Sequence, residues 1–145
     1  MLRPARLSDV SALRELETRC FSGDRLSRRS FVRFLKLGKA ILVVAEDAGQ
    51  LVGYALALPH PKGELVRIYS LAVAPEQRGQ GLGRRLIEDI EHRAARLGAH
   101  SLRLEVSRDN PAAHGLYLRL GYVAFGERPG YYEDGSTAVR MEKAL

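Results

Sequence analysis

Seven strand-like and four helix-like segments predict one mixed α/β domain spanning residues 1–145. Two stretches carry that reading. Residues 64–97 run from a strand, through a glycine-dense basic loop, into an amphipathic helix. Residues 40–46 and 51–58 are apolar runs joined by Asp47-Ala48-Gly49-Gln50, which predicts an antiparallel hairpin. The second run is apolar on both faces and belongs in the middle of a sheet covered by helices on both sides.

Taken in order, Leu2 to Arg6 reads as a first strand. Ser8 or Asp9 is placed to cap a helix whose apolar residues Val10, Leu13, Leu16 and Cys20 recur at helical spacing. That spacing makes Cys20 a core side chain rather than a nucleophile. Phe21 to Ser27 breaks the pattern, and Arg28 to Leu37 forms a second helix ended by Gly38. After the hairpin and the His60–Gly63 turn, a long strand runs from Glu64 to Ala74. The next helix, from about Gly81 to Leu97, places Leu82, Leu86, Ile90, Ala94 and Leu97 on one side. Arg84 with Glu88, and Arg85 with Asp89, are spaced for i,i+4 ion pairs. Ser101 to Val106 alternates Leu102, Leu104 and Val106 against Arg103 and Glu105. Asn110-Pro111 starts a fourth helix, closed by Gly121, and strands at 122–126 and 137–142 finish the chain.

The central loop is Arg78-Gly79-Gln80-Gly81-Leu82-Gly83. Its glycines leave amides uncovered, and the following helix adds unpaired N-terminal donors and the positive end of its dipole. Such a loop cradles a pyrophosphate. Arg78, Arg84 and Arg85 add positive charge at its edge. The spacing differs from a dinucleotide fingerprint, and no Gly-Lys-Ser/Thr triplet marks a nucleotide P-loop. A glycine-rich turn without a ligand is the bland alternative, at a high cost in backbone entropy.

Composition narrows the classes further. Hydrophobic residues make up 46% and charged residues 28%, as in ordinary globular proteins. One cysteine excludes an internal disulfide framework, and histidines at 60, 92, 100 and 114 have no metal-ligand spacing. Neither a secretory leader nor an 18-residue apolar run is evident, so a cytoplasmic protein with no membrane partner is expected. The net charge of +6 points to an anionic partner. It lacks the patterns of a sequence-specific nucleic-acid reader.

The ordered set Leu71-Ala72-Val73-Ala74-Pro75, Arg78 to Gly83, Leu104-Glu105-Val106, Asn110-Pro111-Ala112-Ala113, Leu116-Tyr117 and Leu120-Gly121-Tyr122 resembles the GNAT N-acetyltransferase superfamily over essentially the whole chain. Leu104-Glu105-Val106, Tyr131-Tyr132 and Ala138-Val139-Arg140-Met141 are most similar to bacterial ribosomal-protein alanine N-acetyltransferases. The resemblance implies a mixed, mostly antiparallel sheet flanked by helices, with its fourth and fifth strands splayed around acetyl-CoA. Backbone near Leu71, Ala72 and Val73 would pair with the pantetheine arm. Arg78, Gly79, Gln80, Gly81, Leu82, Gly83 and Arg84 would hold the pyrophosphate. Asn110 matches a cofactor-contacting position and is equally a helix cap.

Acetyl transfer to an amine needs a base, a stabilised oxyanion and a proton for the departing thiolate. By the resemblance Glu105 is the base and Tyr117 the acid. The plain readings are a solvated or Arg103-paired Glu105 and a core Tyr117. Tyr69, Tyr131 and Tyr132 would line the acceptor side, although the tyrosine pair also reads as ordinary hairpin aromatics. Gly130 stands where the ribosomal enzymes often have asparagine, and the basic stretch Arg25–Arg29 lies outside their signature. The implied reaction is direct transfer in a ternary complex, to a protein N-terminal amine, by a monomer or homodimer. The alternatives are a small amine such as an amino acid, polyamine or aminoglycoside, and a non-catalytic acyl-CoA-binding module.

Overall fold

The computed structural model describes all 145 residues. One sheet holds β1 (Leu2–Pro4), β2 (Ile41–Asp47), β3 (Gln50–Pro59), β4 (Leu65–Val73), β5 (Ser101–Ser107), β6 (Val123–Arg128) and β7 (Ala138–Ala144), in the order β1-β2-β3-β4-β5-β7-β6. All neighbours are antiparallel except β4 and β5. The helices are α1 (Val10–Cys20), α2 (Arg28–Leu37), α3 (Leu82–Arg96) and α4 (Pro111–Arg119).

Strand alternation explains why helices cover both faces. In β2, Ile41, Val43 and Ala45 join the core under α3, whereas Leu42 and Val44 join the core under α1 and α2. In β3, Ala55 and Ala57 lie on the first side and Tyr54 and Leu56 on the second. A strand buried on both faces loses the polar alternation of an edge strand, so the uninterrupted apolar runs are the expected signature.

A buried polar network pins α1 to the sheet. Glu17 is 1% exposed and accepts from the Tyr54 hydroxyl and from the Leu26 amide at 2.7 Å. Tyr54 also shares a hydrogen bond of 2.8 Å with the Ser70 hydroxyl. Burial raises the Glu17 carboxyl above the usual range, against the lowering effect of these donors.

The helices depart from the sequence expectations in four places. Asp9 does not cap α1 with its side chain. Its carboxylate instead accepts from the Arg6 amide at 2.7 Å and forks onto Arg3 at 2.8 and 3.0 Å, because a short 3-10 turn at Leu7–Asp9 precedes the helix. Leu97 is 64% exposed, since α3 ends at Arg96 and its buried face is made by Leu82, Leu86, Ile87, Ile90 and Ala94. Asp89 pairs forward with Arg93 at 2.7 Å rather than back with Arg85, while Arg84 and Glu88 pair at 3.6 Å as spaced. Cys20 is only half-buried, at the open end of the sheet. No helix is long and apolar enough to cross a membrane.

β4 and β5 determine where a ligand can enter. Their parallel pairing covers only Leu65–Arg67 against Ser101–Arg103. Beyond it, β4 stays with β3 and β5 stays with β7, so the two strands part. β4 also carries a bulge: Ser70 faces Leu56 and Ile68 faces Ala57, leaving Tyr69 as the extra residue. A bulge adds local twist and redirects side chains, which here happens at the mouth of the gap.

Candidate active site

Two cavities meet where β4 and β5 diverge. The larger, about 770 Å³, runs from Leu71–Val73 along the glycine loop to Asn110 and Arg119. The smaller, about 290 Å³, is walled by Tyr69, Ser70, Glu105, Tyr117 and Tyr132. Phe21, Leu71, Asn110 and Ala113 line both. A third hollow of about 450 Å³ opens from the smaller one between Phe21, Asp24, Tyr132 and Glu133.

The large cavity has the chemistry of an anion cradle at one end. Gly79 and Gly81 have φ of 80° and 81°, the left-handed region in which a side chain is strained. This backbone path leaves the amides of Gly81, Leu82, Gly83 and Arg84 without an acceptor in the chain, and no side chain caps α3. Arg84 lines the same cavity with Arg78 and Arg119. Uncovered amides, a helix dipole and three guanidinium groups suit the pyrophosphate of a coenzyme. The other end, at Leu71 and Val73, is the narrow apolar gap between strands that an extended pantetheine arm requires. Arg78 curls back to donate from Nε to the Val73 carbonyl at 3.1 Å, with the Cys20 thiol at 3.5 Å from the same oxygen. Gln77, rather than Gln80, faces the cavity.

Asn110 performs its cap role through one atom. Its Oδ1 accepts from the Ala113 amide at 3.1 Å, which leaves the two Nδ2 hydrogens for the cavity it lines. Capping and ligand contact therefore do not compete.

Glu105 is inside the site. Its side chain is 8% exposed, and Oε2 accepts from Arg67 Nε at 3.1 Å. The partner is Arg67 and not Arg103, which lies beside Glu142 at 3.3 Å. The same Arg67 donates from Nη2 to the Tyr131 hydroxyl at 2.6 Å. One guanidinium thus joins the predicted base to a predicted acceptor aromatic. Burial works to lower the Arg67 pKa, and the charges of Glu105 and Tyr131 more than offset it.

Tyr117 lies on α4, buried, with its ring edge-on to Tyr122 at 5.8 Å. Burial first, and Tyr132 second, push its hydroxyl up to about 12. The group therefore stays protonated through the neutral range and can donate. Tyr132 is raised to about 12 by burial together with Tyr131 and Glu105. Tyr131 and Tyr132 stack edge-on at 4.9 Å. Tyr69, 46% exposed, lies across the mouth, 6.3 Å from the Phe34 ring.

Three features of the site have no signal in the sequence. Phe21 lines all three cavities, yet it belongs to an irregular stretch with no period to mark it. Arg67 is one basic residue in an otherwise apolar strand. Asp24 and Glu133 are 109 positions apart and exchange side chain-to-amide hydrogen bonds at 3.0 and 3.3 Å across the third hollow. Two other carboxylates of the neighbouring segments fall outside the site: Glu76 pairs with Arg19 on the surface, and Glu64 lines neither central cavity.

This splayed sheet with a coenzyme-shaped cleft defines a GNAT-type acyltransferase. The sequence model of the acetyltransferase (GNAT) family matches residues 10–122, and the chain belongs to that family. It is 31% identical over 144 residues to a Bacillus subtilis protein named putative [ribosomal protein bS18]-alanine N-acetyltransferase, covering 97% of this chain and 92% of that one. An uncharacterized Mycobacterium leprae protein is 35% identical over 140 residues, 94% of this chain, but the chain spans only 38% of its length. The structure of the Escherichia coli ribosomal-protein-S18-alanine N-acetyltransferase superposes with a TM-score of 0.89 at 25% identity, covering 100% of this chain and 93% of that one. The chain is an acetyl-CoA-dependent N-acetyltransferase.

Proposed function

We propose that the acceptor is a protein N-terminal α-amine and that Glu105 and Tyr117 carry the proton transfers. The observation behind this is that Glu105 and Tyr117 wall one small cavity, which opens into the coenzyme cleft through Leu71 and Asn110. Acetyl-CoA supplies an acetyl thioester whose carbonyl carbon takes the amine nitrogen as the carbon–sulfur bond breaks. Glu105 accepts the proton that the amine loses. Tyr117 donates its hydroxyl proton to the departing sulfur, a role suited to a hydroxyl that burial keeps protonated. Bulk water later restores both groups.

Two features of the chain favour direct transfer. The Cys20 thiol is pushed up by burial, the opposite of what a nucleophilic thiolate needs. It also points at the Val73 carbonyl rather than at a base. On the acceptor side, Tyr69 and Tyr132 line the small cavity, while Tyr131 lies outside its wall and braces Tyr132 edge-on. Arg67 fixes Tyr131 relative to Glu105, so the acceptor is oriented by the residue that holds the base.

The test is incubation with acetyl-CoA and a panel of peptides, amino acids, polyamines and aminoglycosides, following free thiol and acceptor mass. Acetylation at peptide N-termini, impaired in Glu105→Gln and Tyr117→Phe, is the expected result. Turnover confined to small amines would overturn the acceptor assignment and leave the transfer chemistry standing. Coenzyme binding without any product would favour a non-catalytic module.

A further inference from the structure

The excess positive charge of this protein occupies one place. Residues 25–39 contain six lysines and arginines and no aspartate or glutamate, while the other 130 residues carry seventeen of each sign. The net charge of +6 is therefore the charge of α2 and its flanks. Arg25, Arg28, Arg29, Arg33, Lys36 and Lys39 are all exposed. None joins an ion pair, whereas nine of the seventeen acids elsewhere in the chain do. Arg28 and Arg29 occupy the first turn of α2, where the helix dipole disfavours cations. No residue of this segment lines the coenzyme cleft, so the cofactor does not account for the charge.

The patch is continuous with the acceptor mouth. The Arg33 guanidinium lies 5.4 Å from the Phe34 ring centre, and Phe34 lies 6.3 Å from Tyr69. The Arg67 guanidinium lies 5.6 Å from the Tyr69 ring centre and reaches Glu105. A chain leaving the cavity over Tyr69 therefore crosses directly onto α2. From the Tyr69 ring to Arg33 is at most about 12 Å, a length that three to four extended residues cover.

We infer that α2 is the docking surface for acidic side chains three to five residues downstream of the acetylated N-terminus, making the preferred acceptor an acidic-headed polypeptide. This rests on the N-terminal-amine reading above and refines it. Unpaired cations beside a cleft steer an anionic partner and hold it after encounter, and both effects weaken with salt. Nucleic acid is the less suitable occupant: α2 exposes no aromatic ring on which a base would stack, and the cation line leads into the acceptor cavity.

The experiment compares peptides sharing their first two residues and carrying Asp/Glu, Ser/Gln or Lys/Arg at positions 3–6. Initial rates are taken at 25 and 300 mM salt with the wild-type chain and with the triple variant Arg29→Ala, Arg33→Ala, Lys36→Ala. The expected result is kcat/KM about tenfold higher for the acidic than the neutral peptide at low salt, carried by KM. High salt or the triple variant should remove most of that ratio, while the acetyl-CoA dissociation constant stays within twofold. Equal rates for all three peptides, with N-termini acetylated, would overturn the docking role and leave the N-terminal reading intact. Charge-blind peptides combined with inhibition by an oligonucleotide would reassign the patch to nucleic acid. Acetylation of small amines alone, with no peptide accepted, would overturn both readings.

Discussion

The two halves of the cleft are built in opposite ways. The coenzyme side takes its anion cradle from one continuous run, Leu71 to Arg84, in which strand, turn and helix follow one another. The groups it presents are unpartnered backbone amides, whose positions are fixed once φ at Gly79 and Gly81 is fixed. The acceptor side draws Phe21, Tyr69, Glu105, Tyr117 and Tyr132 from five separate segments. Its groups are side chains held by one another, with Arg67 bridging Glu105 and Tyr131. A backbone site tolerates much side-chain change around it. A side-chain site depends on each contact, so it is where relatives of one fold diverge in acceptor.

The sharpest separation of the halves comes from the proposed proton-transfer pair, Glu105 and Tyr117. Glu105→Gln and Tyr117→Phe should each lower kcat by about 100-fold or more, the usual scale of general acid–base catalysis. Acetyl-CoA affinity, measured by calorimetry, should change less than twofold in both. A parallel loss of coenzyme affinity would show that the two halves are not separable. The reverse cut is Gly81→Val. A β-branched residue at a φ of 81° is strained, by about 1–2 kcal/mol on the handedness penalty alone. The coenzyme KM should rise about tenfold, with less effect on the KM of the peptide.

A smaller effect is expected from Arg67→Met, which keeps the packing stem and removes the bridge. Peptide KM should rise about fivefold, an expectation scaled to charge-assisted hydrogen bonds, while coenzyme KM holds. A fall in kcat with unchanged KM would instead mean that Arg67 acts on Glu105 rather than on the acceptor. Outside the cleft, Tyr54→Phe removes the only side-chain donor to buried Glu17. Urea unfolding should report a loss of about 1–3 kcal/mol, the cost of leaving a buried acceptor short of a partner.

The smallest expected effect is one of pH. Glu17 has its folded pKa raised by burial relative to the unfolded value, near 4.3. The folded state binds that proton more tightly, so the group's contribution is greatest below the unfolded pKa and is lost as pH rises through the folded one. Glu17→Gln should flatten that decline in the urea midpoint as pH rises above the unfolded value of about 4.3.

Much of the fold was legible because its elements are locally encoded. α2 spans Arg28–Leu37 as its periodicity and Gly38 predict, and the strands of the hairpin differ from expectation by one residue at either end. Where local signals compete, the structure departs from the local pattern. Asp9 carries the composition of a cap, but two donors from Arg3 and the Arg6 amide claim its carboxylate. Asp89 has arginines at both i−4 and i+4 and pairs with the second. The acceptor side was legible only in residue types. Glu105 and Tyr117 could be named from their motifs, whereas their common cavity depends on strand divergence and on the seating of α4.

The sequence by itself determined the strands and helices, the glycine loop and its uncovered amides, because these follow from hydrophobic period and backbone freedom within short windows. It also determined that fifteen residues hold all the excess charge. Tertiary structure alone decided that Arg67 rather than Arg103 meets Glu105, that Phe21 stands where three cavities join, and that α2 borders the acceptor mouth. Such contacts are distant in the chain: Arg67 and Glu105 are 38 positions apart, and Asp24 and Glu133 are 109 apart. Their energies are realised only after the sheet has closed the intervening loops, and no local pattern records them.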